Sequence, residues 1–276
     1  MEFRGNPNRS SHHIAARSHS LLIEARSIIA GFINAEPADI VFTNNATGSI
    51  NLAVDAIRHL FGEGDMVLIS IAEHHSNILP HLKLTSKGAM IKFVGLKDGL
   101  IDVEELRRAL TKRTKLVAVA QCSNVLGNIN DVESIGRIVT SYNRDIFYLV
   151  DGAQAVAHVP VDVKAMNADF YAFSGHKMYG PDGVGALYVS PAIRHLLEPV
   201  CTGGGTVRDI AVTFGRNADT AYPDYDGSLS VLEGGTPNTS NIVALSKAVG
   251  FLDRIGFENI RKHEMQLTKR LCSGIV

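Results

Sequence analysis

Two short stretches hold side chains that could do chemistry together. Asp151-Gly152-Ala153-Gln154 directly follows the apolar run Ile146 to Val150, and Phe173-Ser174-Gly175-His176-Lys177-Met178-Tyr179-Gly180-Pro181 follows the apolar pair Tyr171 and Ala172. A carboxylate at the end of a buried strand needs a cationic or hydrogen-bonding partner, because burying it unpaired is costly. A protonated ring nitrogen on a bound cofactor would meet that need for Asp151. A helix N-cap would meet it equally well on the strength of that residue alone. Lys177 by itself would read as a solvated surface residue. Its neighbours change the reading: Ser174 and His176 can donate to phosphate oxygens, Gly175 lets backbone approach closely, and a flanked, partly desolvated lysine is the kind that forms Schiff bases.

Two more polar clusters follow apolar runs. Asn44-Asn45-Ala46-Thr47-Gly48-Ser49 comes after Ile40 to Thr43 and opens a helix, where free backbone N–H groups favour an anion. Simple N-capping accounts for that segment as well. Glu73-His74-His75-Ser76-Asn77 reads by itself as a surface loop or part of a metal site. Zinc needs three or four convergent ligands, and no matching cluster lies nearby in the sequence.

The elements that must position these residues alternate. Apolar spacing gives helices at His19–Ile33, Ser49–Phe61, Ile78–Ser86 and Val103–Leu110, and another that runs from an Asp131 N-cap to about Tyr142. Between them lie strands at Ile40–Thr43, Met66–Ser70, Met90–Val94, Lys115–Ala120 and Ile146–Val150. Short strands follow at Phe170–Phe173 and Gly185–Val189, then a loop-rich stretch from Cys201 to Gly235, a helix from Thr239 to Arg254, a stop at Gly256, and a last helix from Glu258 to Leu271. Strands alternating with helices predict an α/β fold with a mostly parallel central sheet covered on both faces. In such sheets ligands bind beyond the carboxyl ends of the strands, which is where the polar clusters fall.

Composition narrows the function classes. With 276 residues, 45% of them hydrophobic, and a formal charge of -1, the chain can bury a large core and gives no electrostatic reason to propose nucleic acid or an anionic membrane as partner. No apolar run approaches the roughly 20 residues needed to span a bilayer. Cys122, Cys201 and Cys272 stand far apart, which fits a reducing, cytoplasmic setting rather than a disulfide framework.

The motifs Asp151-Gly152-Ala153-Gln154-Ala155 and Phe173 to Pro181 resemble the class V aminotransferase family of fold type I enzymes that use pyridoxal 5′-phosphate (PLP), and within it the group II cysteine desulfurases and selenocysteine lyases. Ser123-Asn124-Val125-Leu126-Gly127, Gly234-Gly235-Thr236-Pro237-Asn238 and the Glu73 to Asn77 stretch agree with that group. The resemblance implies that Lys177 holds the cofactor covalently, Asp151 maintains its pyridinium, and His74 stacks over the ring and takes part in proton transfer. It also implies that Asn124 lies near the substrate and the ring hydroxyl, that Gln154 donates to that hydroxyl, and that Thr47, Ser174 and His176 hold the phosphate. Ala46 and Gly48 flank Thr47 where the family usually has another threonine and a glutamate, so a phosphate hydroxyl is missing. Thr236 would reach the phosphate of the other subunit, making the enzyme an obligate homodimer. Arg9, in the stretch Asn6 to His12, would border the substrate entrance, with Asn8 in place of the usual histidine.

By the same resemblance, residues 1–255 form the PLP-binding large domain, with its N-terminal edge incomplete, and residues 256–276 begin a small C-terminal domain that is largely missing. The implied reaction converts L-cysteine, or L-selenocysteine, to L-alanine and leaves a persulfide for a sulfur-acceptor protein and iron–sulfur cluster assembly. The nucleophilic cysteine of the family lies on the small domain, beyond Val276. Of the resident thiols, Cys122 reads as a buried small hydrophobe and Cys201 as a loop residue. Alternatives are another class V activity, such as an aminotransferase or a carbon–sulfur or carbon–selenium lyase, and a truncated chain that folds and binds PLP without turnover.

Overall fold

The computed structural model describes residues 5–7, 12–216, 218–225 and 227–274. Arg9 and Asn8 lie outside the described residues. A first helix, α1 (His13–Phe32), starts earlier than its apolar periodicity predicts, because the His12 side chain caps it by accepting from the Ala15 N–H at 3.3 Å. Then come β1 (Ile40–Thr43), α2 (Ala46–Ile57), β2 (Met66–Ser70), a four-residue α3 (Leu79–Leu82) and β3 (Met90–Val94). A small hairpin, β4 (Leu96–Lys97) and β5 (Leu100–Ile101), leads to α4 (Val103–Ala109), β6 (Thr114–Ala120), α5 (Val132–Tyr142), β7 (Phe147–Asp151), β8 (Phe170–Ser174) and β9 (Gly185–Val189). A second hairpin, β10 (Asp209–Thr213) with β11 (Thr220–Asp224), precedes α6 (Thr239–Ile255) and α7 (Phe257–Gly274).

Among the described residues the main sheet has seven strands in the order β1-β9-β8-β7-β6-β2-β3. The pairs β2–β3, β2–β6, β6–β7 and β7–β8 are parallel, while β9 runs antiparallel to both neighbours. The mostly parallel sheet is therefore as the alternation predicted, with β9 the one reversed strand among those described. Strand side chains alternate between two cores. Tyr148 and Val150 of β7, with Val117 and Val119 of β6, pack against residues of α1, α5 and α6 such as Ile29, Ile135 and Leu245. Phe147 and Leu149, with Leu116 and Ala118, pack against Ile50, Val54 and Ile57 of α2. Each such fully buried aliphatic or aromatic side chain stabilises the fold by about 1.5–3 kcal/mol, which is why both faces of these strands are apolar.

Two places differ from the sequence reading. The helix expected over Ile78–Ser86 is α3 followed by a 3-10 stretch, Lys83–Lys87, with Pro80 at its start and Gly88 closing it at φ 86°. The loop-rich stretch from Cys201 to Gly235 contains the β10–β11 hairpin, whose residues are all exposed. Without a buried face there is no alternation to read. The last helix, α7, buries Ile260 and stacks Phe257 on Phe32 at 5.9 Å between ring centroids, but leaves Met265, Leu267 and Leu271 exposed. No helix among the described residues is long and apolar enough to cross a membrane.

Candidate active site

The carboxyl ends of β2, β6, β7 and β8 and the start of α2 open on a cavity of about 310 Å³. Its lining includes Thr47, His74, Asn124, Asp151, Gln154, Ser174, His176 and Lys177, eight of the ten residues the sequence singled out. Thr236 is exposed and does not line this cavity, and Arg9 is not among the described residues. A volume of this order suits one small, flat ligand.

Parallel pairing sets the floor of the cavity. Ala120 stands opposite Asp151, and Asp151 opposite Ala172, so the three strand ends are level. Asp151 is buried, and one of its oxygens accepts the Ala153 N–H at 2.9 Å. Burial raises its carboxyl above the usual range, opposed by that hydrogen bond and by the nearby positive charge of Lys177. No other hydrogen bond to it is found among the described residues, so the second oxygen is free to accept from a ligand. Gly152 is required beside it, since a Cβ there would come within 2.0 Å of the Tyr171 ring, whose hydroxyl donates to Gln121 Oε1 at 2.7 Å.

Lys177 and His176 belong to the short 3-10 turn Gly175–Met178 that leaves β8, which brings the half-buried Lys177 to the cavity, close enough for its charge to act on Asp151. The turn is tight. The Gly175 N–H donates to Val184 O at 2.8 Å, and a Cβ on Gly175 would meet Val184 at the same distance. Buried Ser174 accepts the Ala46 N–H at 2.7 Å, leaving its own hydroxyl proton for a ligand. The N-cap of α2 is Asn45, which accepts from the Gly48 N–H at 2.9 Å, while the Thr47 N–H has no protein acceptor among the described bonds. The hydroxyls of Ser174 and Thr47, the free N–H of Thr47 and the imidazole of His176 thus gather at one end of the cavity, the donor set an anion such as phosphate needs.

His74 lines the same cavity. Its Nδ1 accepts the Ser76 N–H at 3.1 Å, so the neutral ring carries its proton on Nε2. The Ser76 hydroxyl lies 2.9 Å from the same nitrogen and 2.7 Å from the Thr47 hydroxyl, linking the ring to the anion end. Asn124 sits on a turn held by Ser123, whose hydroxyl accepts from the Val125 and Leu126 N–H groups at 3.3 and 3.2 Å.

The cavity also contains residues to which sequence reading gave no role: Asn45, Ser76, Ser123 and Cys122. Cys122 is half-buried and faces the cavity, although its sequence context reads as core. Burial, with the charge of Glu264, raises its thiol above the ordinary range, which disfavours the reactive thiolate. Cys201 and Cys272 are exposed and lie elsewhere.

Comparison with known proteins identifies the family. The family described as Aminotransferase class-V matches residues 1–276. A probable cysteine desulfurase of Methanothermobacter thermautotrophicus is 38% identical over 99% of the chain, and a cysteine desulfurase of Dickeya dadantii is 39% identical over 97% of it. The chain spans 66% and 64% of those two relatives' lengths, just under two thirds. Among solved structures, the apo cysteine desulfurase of Thermococcus onnurineus covers the whole chain at TM-score 0.89 and 34% identity, with 67% of its own chain matched. The structure of SspA in complex with cysteine covers 90% of the chain at TM-score 0.76 and 31% identity, with 65% of its own chain matched.

Proposed function

Because the chain belongs to the aminotransferase class-V family, whose enzymes depend on PLP, we propose that it carries the PLP-binding part of a cysteine desulfurase. The observation that carries this reading is the placing of Asp151, Lys177 and His74 on one cavity of PLP size, with a cluster of anion donors around the start of α2. The donor set fits the cofactor. Lys177 Nζ would hold its aldehyde carbon covalently, the unshared Asp151 oxygen would accept from its ring N–H, and Thr47, Ser174 and His176 would hold its phosphate. Gln154 and Asn124 would stand beside the ring hydroxyl. When bound, PLP supplies an electron sink that labilises bonds at the substrate's α-carbon.

The chain's own residues do the rest. Burial leaves Asp151 no cheap way to be charged without a cationic partner, so it holds the ring nitrogen protonated. His74 lines the cavity with its Nδ1 already occupied by the Ser76 N–H, so its ring would be free to stack on the cofactor and to donate through Nε2. The Lys177 amine would also be the base that carries the substrate's α-proton. Asn124 would lie beside the substrate, and Arg9 would border the entrance it uses. A nucleophilic thiolate, which the family carries on its small domain, would attack the sulfur of L-cysteine as the C–S bond breaks, leaving L-alanine and a persulfide on that thiol for transfer to an acceptor protein and iron–sulfur cluster assembly; L-selenocysteine would follow the same route.

On this reading residues 1–255 are the cofactor-binding domain and residues 256–276 begin a smaller one. The exposed Thr236 would serve the cavity of a second copy in a homodimer. Three unpaired cysteines support a cytoplasmic setting. The test is to incubate the purified chain with PLP, L-cysteine and a thiol reductant and to measure alanine and sulfide. Equal amounts of both, absent with Lys177→Ala, are expected. A bound cofactor with no alanine would exclude turnover by this chain, and product that appears only with a keto acid would indicate an aminotransferase.

A further inference from the structure

Directly before His74 lies a buried acid that the proposed reaction does not use. Three donors converge on the Glu73 carboxyl: the Ser70 hydroxyl at the end of β2, the Ala120 N–H at the end of β6 at 2.8 Å, and Asn77 Nδ2 at 2.7 Å. Asn77 is fully buried, and its N–H donates to the His74 carbonyl at 2.7 Å, closing the turn that carries the His74 ring. Asn77 Oδ1 in turn lies 3.1 Å from His81 Nε2. An amide oxygen can only accept, so His81 carries its proton on Nε2. His81 is fully buried and its Nδ1 has no partner.

We propose that Glu73 is a positioning residue for this site: its carboxyl ties together the ends of β2 and β6 and the His74 turn, and the Glu73–Asn77–His81 chain reverses its hydrogen-bond direction with the proton on Glu73. The inference concerns the site named above and rests on that reading for its bearing on catalysis. Ala120, one of the three anchors, lines the cavity and pairs with Asp151, so Glu73 sets where His74 stands relative to Asp151 without touching the cavity that holds them.

Burial raises Glu73 to about 7, with the charge of Asp151 adding and the three hydrogen bonds opposing. Burial also keeps His81 neutral, at about 3. The titratable groups that face Glu73 are Asp151 and Tyr148, which interact with it by charge, together with His81 through Asn77 and the adjacent His74. When Glu73 is protonated its hydroxyl donates to Asn77 Oδ1, the amide turns, and Asn77 Nδ2 donates to His81 Nε2. The imidazole then carries its proton on the otherwise unpartnered Nδ1. Two buried carboxylates side by side repel, so the proton stays on Glu73 while Asp151 keeps the charge.

Glu73→Gln imitates the protonated form, because its amide N–H donates where the acid O–H would. The test is ring ¹⁵N NMR of the histidine-labelled chain without cofactor, with His81 assigned through His81→Phe, alongside PLP titration by absorbance. Wild type at about pH 8 should show His81 as Nε2–H, and should change to Nδ1–H as pH falls through about 7. Glu73→Gln should show Nδ1–H at every pH, with PLP affinity within about threefold of wild type. Glu73→Ala should lose the single His74 tautomer and bind PLP at least tenfold more weakly, whereas the remote core variant Leu116→Ala should keep both. A His81 tautomer that ignores both pH and Glu73→Gln would overturn the proposal, as would equal PLP losses in Glu73→Ala and Leu116→Ala. If wild type binds no PLP, the functional reading fails, yet the NMR arm still decides the role of Glu73.

Discussion

Replacing Glu73 with glutamine should change how stability depends on pH, by an amount the structure sets. Glu73 protonates at about 7 in the fold, against 4.5 for the free side chain. An acid whose pKa is raised on folding is bound more tightly to its proton in the native state than in the unfolded chain. Its stabilisation is therefore full below pH 4.5, declines as the unfolded chain ionises, and is gone once pH passes about 7. At about 1.4 kcal/mol per pH unit, the swing is about 3 kcal/mol. Asp169, raised to about 6 by burial, acts with the same sign. His81, lowered to about 3 from 6.5, acts with the opposite one, since the unfolded chain takes up its proton first as pH falls. Total stability mixes these contributions, but the difference between wild type and Glu73→Gln isolates one of them. Urea unfolding across this range should show wild type losing about 3 kcal/mol relative to the variant between about pH 4.5 and about 7.5. A difference that stays constant within about 0.5 kcal/mol across that range would refute the assignment of a buried, proton-holding Glu73.

Other perturbations have equally specific consequences. Asp151→Asn keeps an acceptor for the Ala153 N–H but removes the charge, so PLP-dependent alanine formation should fall at least about 100-fold while the melting temperature holds or rises. Gly152→Ala forces a methyl into the Tyr171 ring and should cost about 3 kcal/mol in thermal or urea unfolding, with partial recovery when Tyr171→Leu is added. Ser174→Ala strips the Ala46 N–H of its partner, so about 1–3 kcal/mol of stability should be lost, and PLP affinity measured by absorbance titration should fall about tenfold.

Much of this architecture was legible because local signals and tertiary demands agree. Strands Ile40–Thr43, Met66–Ser70, Met90–Val94 and Gly185–Val189 have the bounds their apolar runs predict, and eight candidate residues share one cavity because each follows a strand or opens a helix on the same sheet edge. The β10–β11 hairpin was not legible, since strands exposed on both faces leave no hydrophobic period. Glu73 was visible as part of a motif, but its partners come from Ser70, Asn77 and Ala120, and only the fold brings β2 and β6 together. Cys122 was read as core from its strand-end context; its approach to the cavity depends on the bridge it makes with Ile129, which no local pattern announces. Thr236 could be singled out by resemblance alone, because it is exposed and does not line the cavity of its own chain.

The measurement that tests the central claim most directly is borohydride reduction of the chain after incubation with PLP, followed by peptide mass mapping. The account expects a stable pyridoxyl phosphate adduct on Lys177, formed at near-stoichiometric PLP and lost together with the visible absorbance in Lys177→Ala. Labelling spread over exposed lysines such as Lys97 and Lys112, with Lys177 unmodified, would contradict it.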